Sequence, residues 1–91
     1  MNGFAYLDKY GFLHCNASKE KALEYSKNGK VAAIDLADGG GYIDENGMNV
    51  FIDDTNKEFW HGRNKNKEEK LSETEFARRY LNTYALYRKL I

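Results

Sequence analysis

Residues 71–91 constrain the fold more than any other stretch, because they specify a helix start twice and carry an apolar face that cannot remain in water. Ser72 and Glu75 make an S-x-x-E capping box, in which each side chain satisfies the other residue's unpaired backbone N–H. Leu71 and Phe76 are placed to close the hydrophobic staple that fixes the entry angle of the chain. Phe76, Tyr80, Tyr84 and Tyr87 then recur at helical spacing, with Ala77, Leu81 and Ala85 beside them. The pattern predicts one long helix to Ile91 with a broad aromatic and aliphatic face. Its far side carries Arg78, Arg79, Asn82, Leu86 and Lys89. The apolar face must be covered by the rest of this chain or by a second one.

What precedes the helix reads as short strands and turns. Gly3 to Asp8 and Phe12 to Cys15 form a hairpin around Lys9-Tyr10-Gly11, a three-residue loop that pairs Leu7 with Leu13 and Tyr6 with His14. Asn16 or Ser18 caps a peripheral helix over residues 19–28, which Gly29 ends. Lys30 to Leu36 follows as a strand with Ala32, Ile34 and Leu36 on one face. After Gly39-Gly40-Gly41 comes a second hairpin closed by Asn46-Gly47, a type I′ signal, which pairs Ile43 with Val50 and Tyr42 with Phe51. Met48, Val50 and Ile52 share the face assigned to the core. Lys57 to Trp60 is a short final strand, and a polar loop over about 61–71, expected to be mobile, leads to the last helix.

These segments predict an α+β fold with a small antiparallel sheet, ordered β-β-α-β-β-β-α, and the long C-terminal helix packed across one face. With 91 residues and no second hydrophobic cluster, residues 1–91 are read as a single domain. Charge is balanced in total but divided. Ten Asp and Glu stand against six Lys over residues 1–62, and eight Lys and Arg against four Glu over 63–91. A single cysteine, the lack of a basic leader and the lack of a long apolar run are what a cytoplasmic protein with no membrane contact shows.

The candidate chemistry is sparse. Cys15 beside His14 suggests a small enzyme with a thiol nucleophile, but neighbours in a strand point to opposite faces. One Cys and two His without paired ligand spacing give no metal site. Asp44-Glu45-Asn46-Gly47 departs from the order of a calcium loop, and the triple glycine precedes a strand, with no phosphate-loop lysine, so no cofactor is expected. The most distinctive surface run is Phe59 to Lys67, where aromatics lead into basic and amide side chains. Such a run suits single-stranded nucleic acid, and equally a protein interface, where Trp, Tyr and Arg carry much of the binding energy. The leading expectation is a non-catalytic protein-interaction domain, a small stand-alone inhibitor or adaptor that occupies a partner's surface. A phage or mobile-element anti-defence protein of bacterial setting is one concrete form. The residues expected to bind the partner are Trp60, His61, Arg63, Lys65, Arg78 and Arg79. A homodimer is compatible with this reading, since short sheet edges and an aromatic helix can also find a second copy.

Overall fold

The computed structural model describes residues 3–35, 41–64 and 66–91. Along these residues run β1 (Gly3–Leu7), β2 (Leu13–Asn16), α1 (Lys19–Tyr25), β3 (Ala32–Ile34), β4 (Ile43–Glu45) and β5 (Met48–Asp53). They are followed by β6 (Glu58–Gly62), β7 (Glu69–Leu71), α2 (Glu73–Arg79) and α3 (Leu81–Leu90). The fold is α+β with antiparallel pairing and helix at its C-terminal end, as the pattern predicts. The strands divide into two sheets, β2-β1-β3 and a meander β4-β5-β6-β7; six of the seven fall on the segments read from the sequence, and β7 is the addition. Leu36, the glycine-rich residues 37–40 and Lys65 lie outside the described residues.

Turn chemistry sets the registers. Leu7 pairs with Leu13 and Tyr6 with His14, as a three-residue loop requires. Asp8 Oδ1 holds that loop by accepting from the backbone N–H of Tyr10 and Phe12 at 2.9 and 2.8 Å. Asn46 and Gly47 both have positive φ, the type I′ requirement, and Ile43 accordingly faces Val50. Strand alternation then puts Val50 and Ile52 in the core, with half-buried Met48 packed against it. Glu69–Leu71 adds to β6 as an edge strand, pairing Leu71 with Phe59 and Glu69 with His61, so paired strand occupies both ends of the expected loop. Helix α1 ends at Tyr25, three residues before the sequence suggests, because Ser26 bridges to Asp8 and the Lys27 N–H donates to the Leu7 carbonyl at 2.9 Å.

The C-terminal segment is not one helix. Ser72 caps α2 as expected, its Oγ accepting from the Glu75 N–H at 3.1 Å. At Tyr80 the backbone leaves helical geometry, with φ −123° and ψ 62°, and α3 begins at once. An interruption of this kind orphans amide donors after it and carbonyls before it. The turn of the second hairpin supplies both sets of partners. Glu45, 7% exposed, accepts at Oε1 from the Thr83 N–H (2.8 Å) and the Thr83 hydroxyl (2.7 Å), and at Oε2 from the Asn82 N–H (3.3 Å). Asn46 Nδ2 donates to the Arg79 carbonyl at 3.0 Å. The break also rotates the apolar face, so that Leu86, expected outside, is 8% exposed while Leu81 is 68% exposed. At the other end of α3, Asn28 Nδ2 donates to the Leu90 carbonyl at 2.7 Å.

Phe76, Tyr80 and Tyr87 are buried and Tyr84 packs half-buried against them, with Phe59 in ring contact with Phe76, Tyr84 and Tyr87. Helix α3 packs on β1, β3 and β4, and so covers the inner faces of both sheets. The sheets meet where the first hairpin's turn lies against the β5–β6 turn: Phe12 bridges to Asp53, and the Asp54 N–H donates to the Gly11 carbonyl at 2.8 Å. Gly11, at φ 93°, has no Cβ to strike the Thr55 side chain, which a Cβ would approach to 2.2 Å.

Asp54 ties this junction to α3, binding Lys27 Nζ (2.7 Å), Lys57 Nζ (2.6 Å) and the Tyr87 hydroxyl (2.6 Å). Burial alone would raise its carboxyl, but the hydrogen bonds from Lys27, Lys57 and Tyr87 outweigh it and hold Asp54 well below the usual carboxylate range. Burial and the Asp54 carboxylate push the Tyr87 phenol up to about 12.

Glu45→Ala strands three donors at the start of α3 and is expected to lower the unfolding free energy in urea by about 1–3 kcal/mol. Glu45→Gln retains an acceptor and is expected to lose less. The Asp54 contribution to stability is present above the unfolded carboxyl pKa of about 3.9 and is lost as the pH falls toward the lower folded value. The Tyr87 contribution is present below about 10 and is lost as the pH rises toward the folded value. Asp54→Asn should therefore flatten the acid limb of a stability–pH curve, and Tyr87→Phe the alkaline limb.

Candidate functional site

The inner face of the meander sheet is taken up by the helices, which leaves the question of what its other face carries. On β6, Phe59 and His61 point inward and Trp60 points out. Trp60 pairs across the ladder with Phe51, and the Phe51 ring meets Tyr42 at 5.8 Å and 76°, so that two aromatic walls stand nearly at right angles. Phe12, entering β2 beside Asp53, closes the side nearest the other sheet. These four rings line a cleft of about 230 Å³.

Three polar side chains also reach the cleft. The Asp53 carboxylate, 7% exposed, accepts from the Asn56 N–H (3.1 Å) and the Asn56 amide (2.8 Å). No lysine or arginine among the described residues stands within ion-pair distance of Asp53. His14 is held by Asp8, Nε2 to Oδ2 at 3.2 Å. Lys67 Nζ sits 5.3 Å from the centroid of the Phe12 ring. It arrives there because the chain folds back sharply after β6: the Glu68 N–H donates to the His61 carbonyl at 3.1 Å, and a Cβ on Gly62 would lie 1.5 Å from the Asn66 carbonyl oxygen. Glycine at position 62 is what permits that return.

The residues predicted to bind a partner do not gather on one surface. Trp60 lies in the cleft, half-buried. His61, its neighbour, is buried on the opposite face. Arg63 is exposed beyond the end of β6, and Lys65 is outside the described residues. Arg78 and Arg79 are exposed on α2, across the sheet from Trp60, and both are engaged by Glu75, Arg79 Nε to Oε1 at 2.7 Å. The stretch from Phe59 to Lys67 thus contributes Trp60 and Lys67 to the cleft, with Phe59 and His61 turned into the core. The alternation that separates His14 from Cys15 separates Trp60 from His61 as well. Tyr42, Phe51 and Asp53 line the site although none was among the residues expected to bind a partner; the Tyr42–Phe51 register was readable from the Asn46-Gly47 turn.

His61 bridges two elements. Its Nε2 lies 2.6 Å from Glu69 Oε1 and its Nδ1 2.6 Å from the Tyr80 hydroxyl. A carboxylate only accepts, so Nε2 donates to Glu69, and Nδ1 shares the second hydrogen bond with the Tyr80 hydroxyl. Burial pushes the Tyr80 phenol up. With Tyr80 only 3% exposed, the relay ties β6 and β7 to the helix break. Cys15 is buried on the inner face of its sheet, its Sγ 3.5 Å from the Tyr42 carbonyl, and His14 faces the other way. Among the described residues, no group of three or more His, Cys, Asp and Glu is placed to hold a metal, and no helix is long and apolar enough to cross a membrane.

Comparison with protein-family models, curated proteins and solved structures finds no match to this chain. The cleft must be read from its own chemistry.

Tyr80→Phe removes the hydrogen-bond partner of buried His61 Nδ1 without opening a cavity. Urea unfolding is expected to show a loss of about 1–3 kcal/mol.

Proposed function

We propose that this chain is a non-catalytic protein-interaction domain, a small inhibitor or adaptor that works by seating a side chain of a partner protein in the aromatic cleft. The observation that carries this reading is that Phe12, Tyr42, Phe51 and Trp60 line one concave patch on a sheet face that no described helix covers. Rings so placed offer large contact area with few rotatable bonds, and a concave aromatic centre is the usual seat of an interface's binding energy. Arg63, exposed just past the end of β6, is available as a rim contact, which tunes association more than affinity, whereas Arg78 and Arg79 lie across the sheet and stand outside this surface. A cytoplasmic setting suits the lone buried thiol, and inhibition of a host enzyme by a phage or other mobile element remains the most concrete biological form of the proposal.

A second reading, a binder of single-stranded nucleic acid, draws support from the meeting of Trp60 and Lys67 at the same cleft. It is the weaker of the two, because Phe59 and His61 are buried and leave no continuous run of stacking rings.

The deciding experiment compares wild type with Trp60→Ala, after circular dichroism shows that both are folded. Wild type passed through lysate of its source organism is expected to emerge in a stoichiometric protein complex by light scattering, and Trp60→Ala is expected to lose at least about tenfold in affinity for the protein so captured. Equal retention by the variant would remove the cleft from the interface, and oligonucleotides recovered instead of protein would favour the second reading.

A further inference from the structure

The cleft's charge and size narrow what it receives. At about 230 Å³ it falls below the roughly 300–1,000 Å³ of pockets that hold whole small-molecule ligands, and fits a side-chain head group. Aromatic faces are negative at their centres and attract cations, alkylammonium groups above all. The cleft presents four aromatic residues, two of them set nearly perpendicular, together with the buried Asp53 carboxylate, whose charge meets no cationic side chain among the described residues. A cation is already drawn to this place: the Lys67 ammonium lies over the Phe12 ring.

We propose that the cleft binds the alkylammonium head group of a lysine side chain on the partner polypeptide, and that Lys67 stands in for that group in the free protein. The inference rests on the protein-interaction reading and names the group recognised. Phe12, Tyr42, Phe51 and Trp60 enclose the ammonium and Asp53 supplies the opposite charge. A methylated ammonium is the best occupant, since methyl groups lower its cost of dehydration and widen its contact with the rings. The acidic balance of residues 1–62, which contribute all four aromatics and Asp53, complements a lysine-bearing partner. Lys67 competes with the incoming head group, so removing it strengthens binding.

The test uses the single tryptophan as reporter. A short glycine- and serine-flanked peptide containing trimethyl-lysine is titrated against the full chain and compared with the neutral isostere in which carbon replaces the quaternary nitrogen. The cationic peptide is expected to bind roughly two- to thirtyfold tighter than the isostere. Lys67→Ala is expected to tighten it by roughly two- to fivefold. Asp53→Asn, which keeps an acceptor for Asn56, is expected to weaken the cationic peptide and leave the isostere unchanged. Equal binding of peptide and isostere, or no change in Trp60 fluorescence with either, overturns the proposal, as does weaker binding after Lys67→Ala. Free choline binding as tightly as the peptide overturns the polypeptide source. If the proposal fails in any of these ways while Trp60→Ala still abolishes the partner complex, the protein-interaction reading stands with a different anchor.

Discussion

A helix that stops and restarts within one residue needs partners for backbone groups in the middle of a buried segment, and the rest of this structure depends on how that need is met. Glu45 brings a carboxylate to the first amides of α3, where the helix dipole favours negative charge, and Asn46 closes the carbonyl end of α2. The two residues are adjacent in one hairpin turn. A single local structure therefore stabilises both sides of the break and fixes the β4–β5 hairpin against the helices. With the break in place, Tyr80 stays over Phe76 and His61, while α3 turns Leu86, Tyr87 and Leu90 into the core. An unbroken helix would keep Leu86 outside and set Leu81 against the sheet.

The elements that were legible in the sequence are those fixed by neighbours in the chain. Asn46-Gly47 dictates its own turn, the loop at Gly11 dictates its register, and Ser72 with Glu75 marks a helix start. The break at Tyr80 has no such local mark, since residues 73–90 contain neither glycine nor proline. Its cause lies in Glu45, more than thirty residues earlier, whose side chain reads from sequence as ordinary turn polarity. Strand β7 is hidden for a related reason: Glu69-Lys70-Leu71 has little intrinsic strand preference, and pairs because β6 offers it an edge and Phe59 offers Leu71 an apolar neighbour. Pattern recognition failed in a different way at the candidate site. A run of chemically suggestive residues was read as one surface, although it lay on a strand, where consecutive side chains cannot share a face.

The uneven charge of the chain is met in part by short-range pairing. Glu75 engages Arg78 and Arg79 within their own helix, and Asp54 engages Lys27 and Lys57 at the junction between the sheets. Glu58 and Lys70 approach to 3.8 Å across β6 and β7, a link between the acidic and basic halves. Exposed pairs of this kind add little stability, whereas the Asp54 cluster is partly buried and joins α3 to both turns. Charge therefore organises the junction more than it binds helix to sheet, and the aromatic stripe of α2 and α3 supplies the main attraction between those layers.

The two sheets are treated unequally by the rest of the chain. The first has α3 on its inner face and α1 on its outer one, with Ala22 buried and Tyr25 in ring contact with Tyr6. The second has helices on its inner face, and among the described residues its outer face keeps Tyr42, Phe51 and Trp60 beneath no helix. Phe12, Tyr42, Phe51 and Trp60 stand outside the buried core cluster, and apolar surface that stays partly in water forgoes about 25 cal/mol per Å² of the stabilisation full burial gives. The site is also assembled from separate devices: the I′ turn sets Tyr42 opposite Phe51, strand alternation aims Trp60 outward, the sheet junction delivers Phe12, and Gly62 allows the return that brings Lys67 to its ring. On the proposed reading, a cleft assembled from so many elements, with its four rings outside the core cluster, is explained by what it receives.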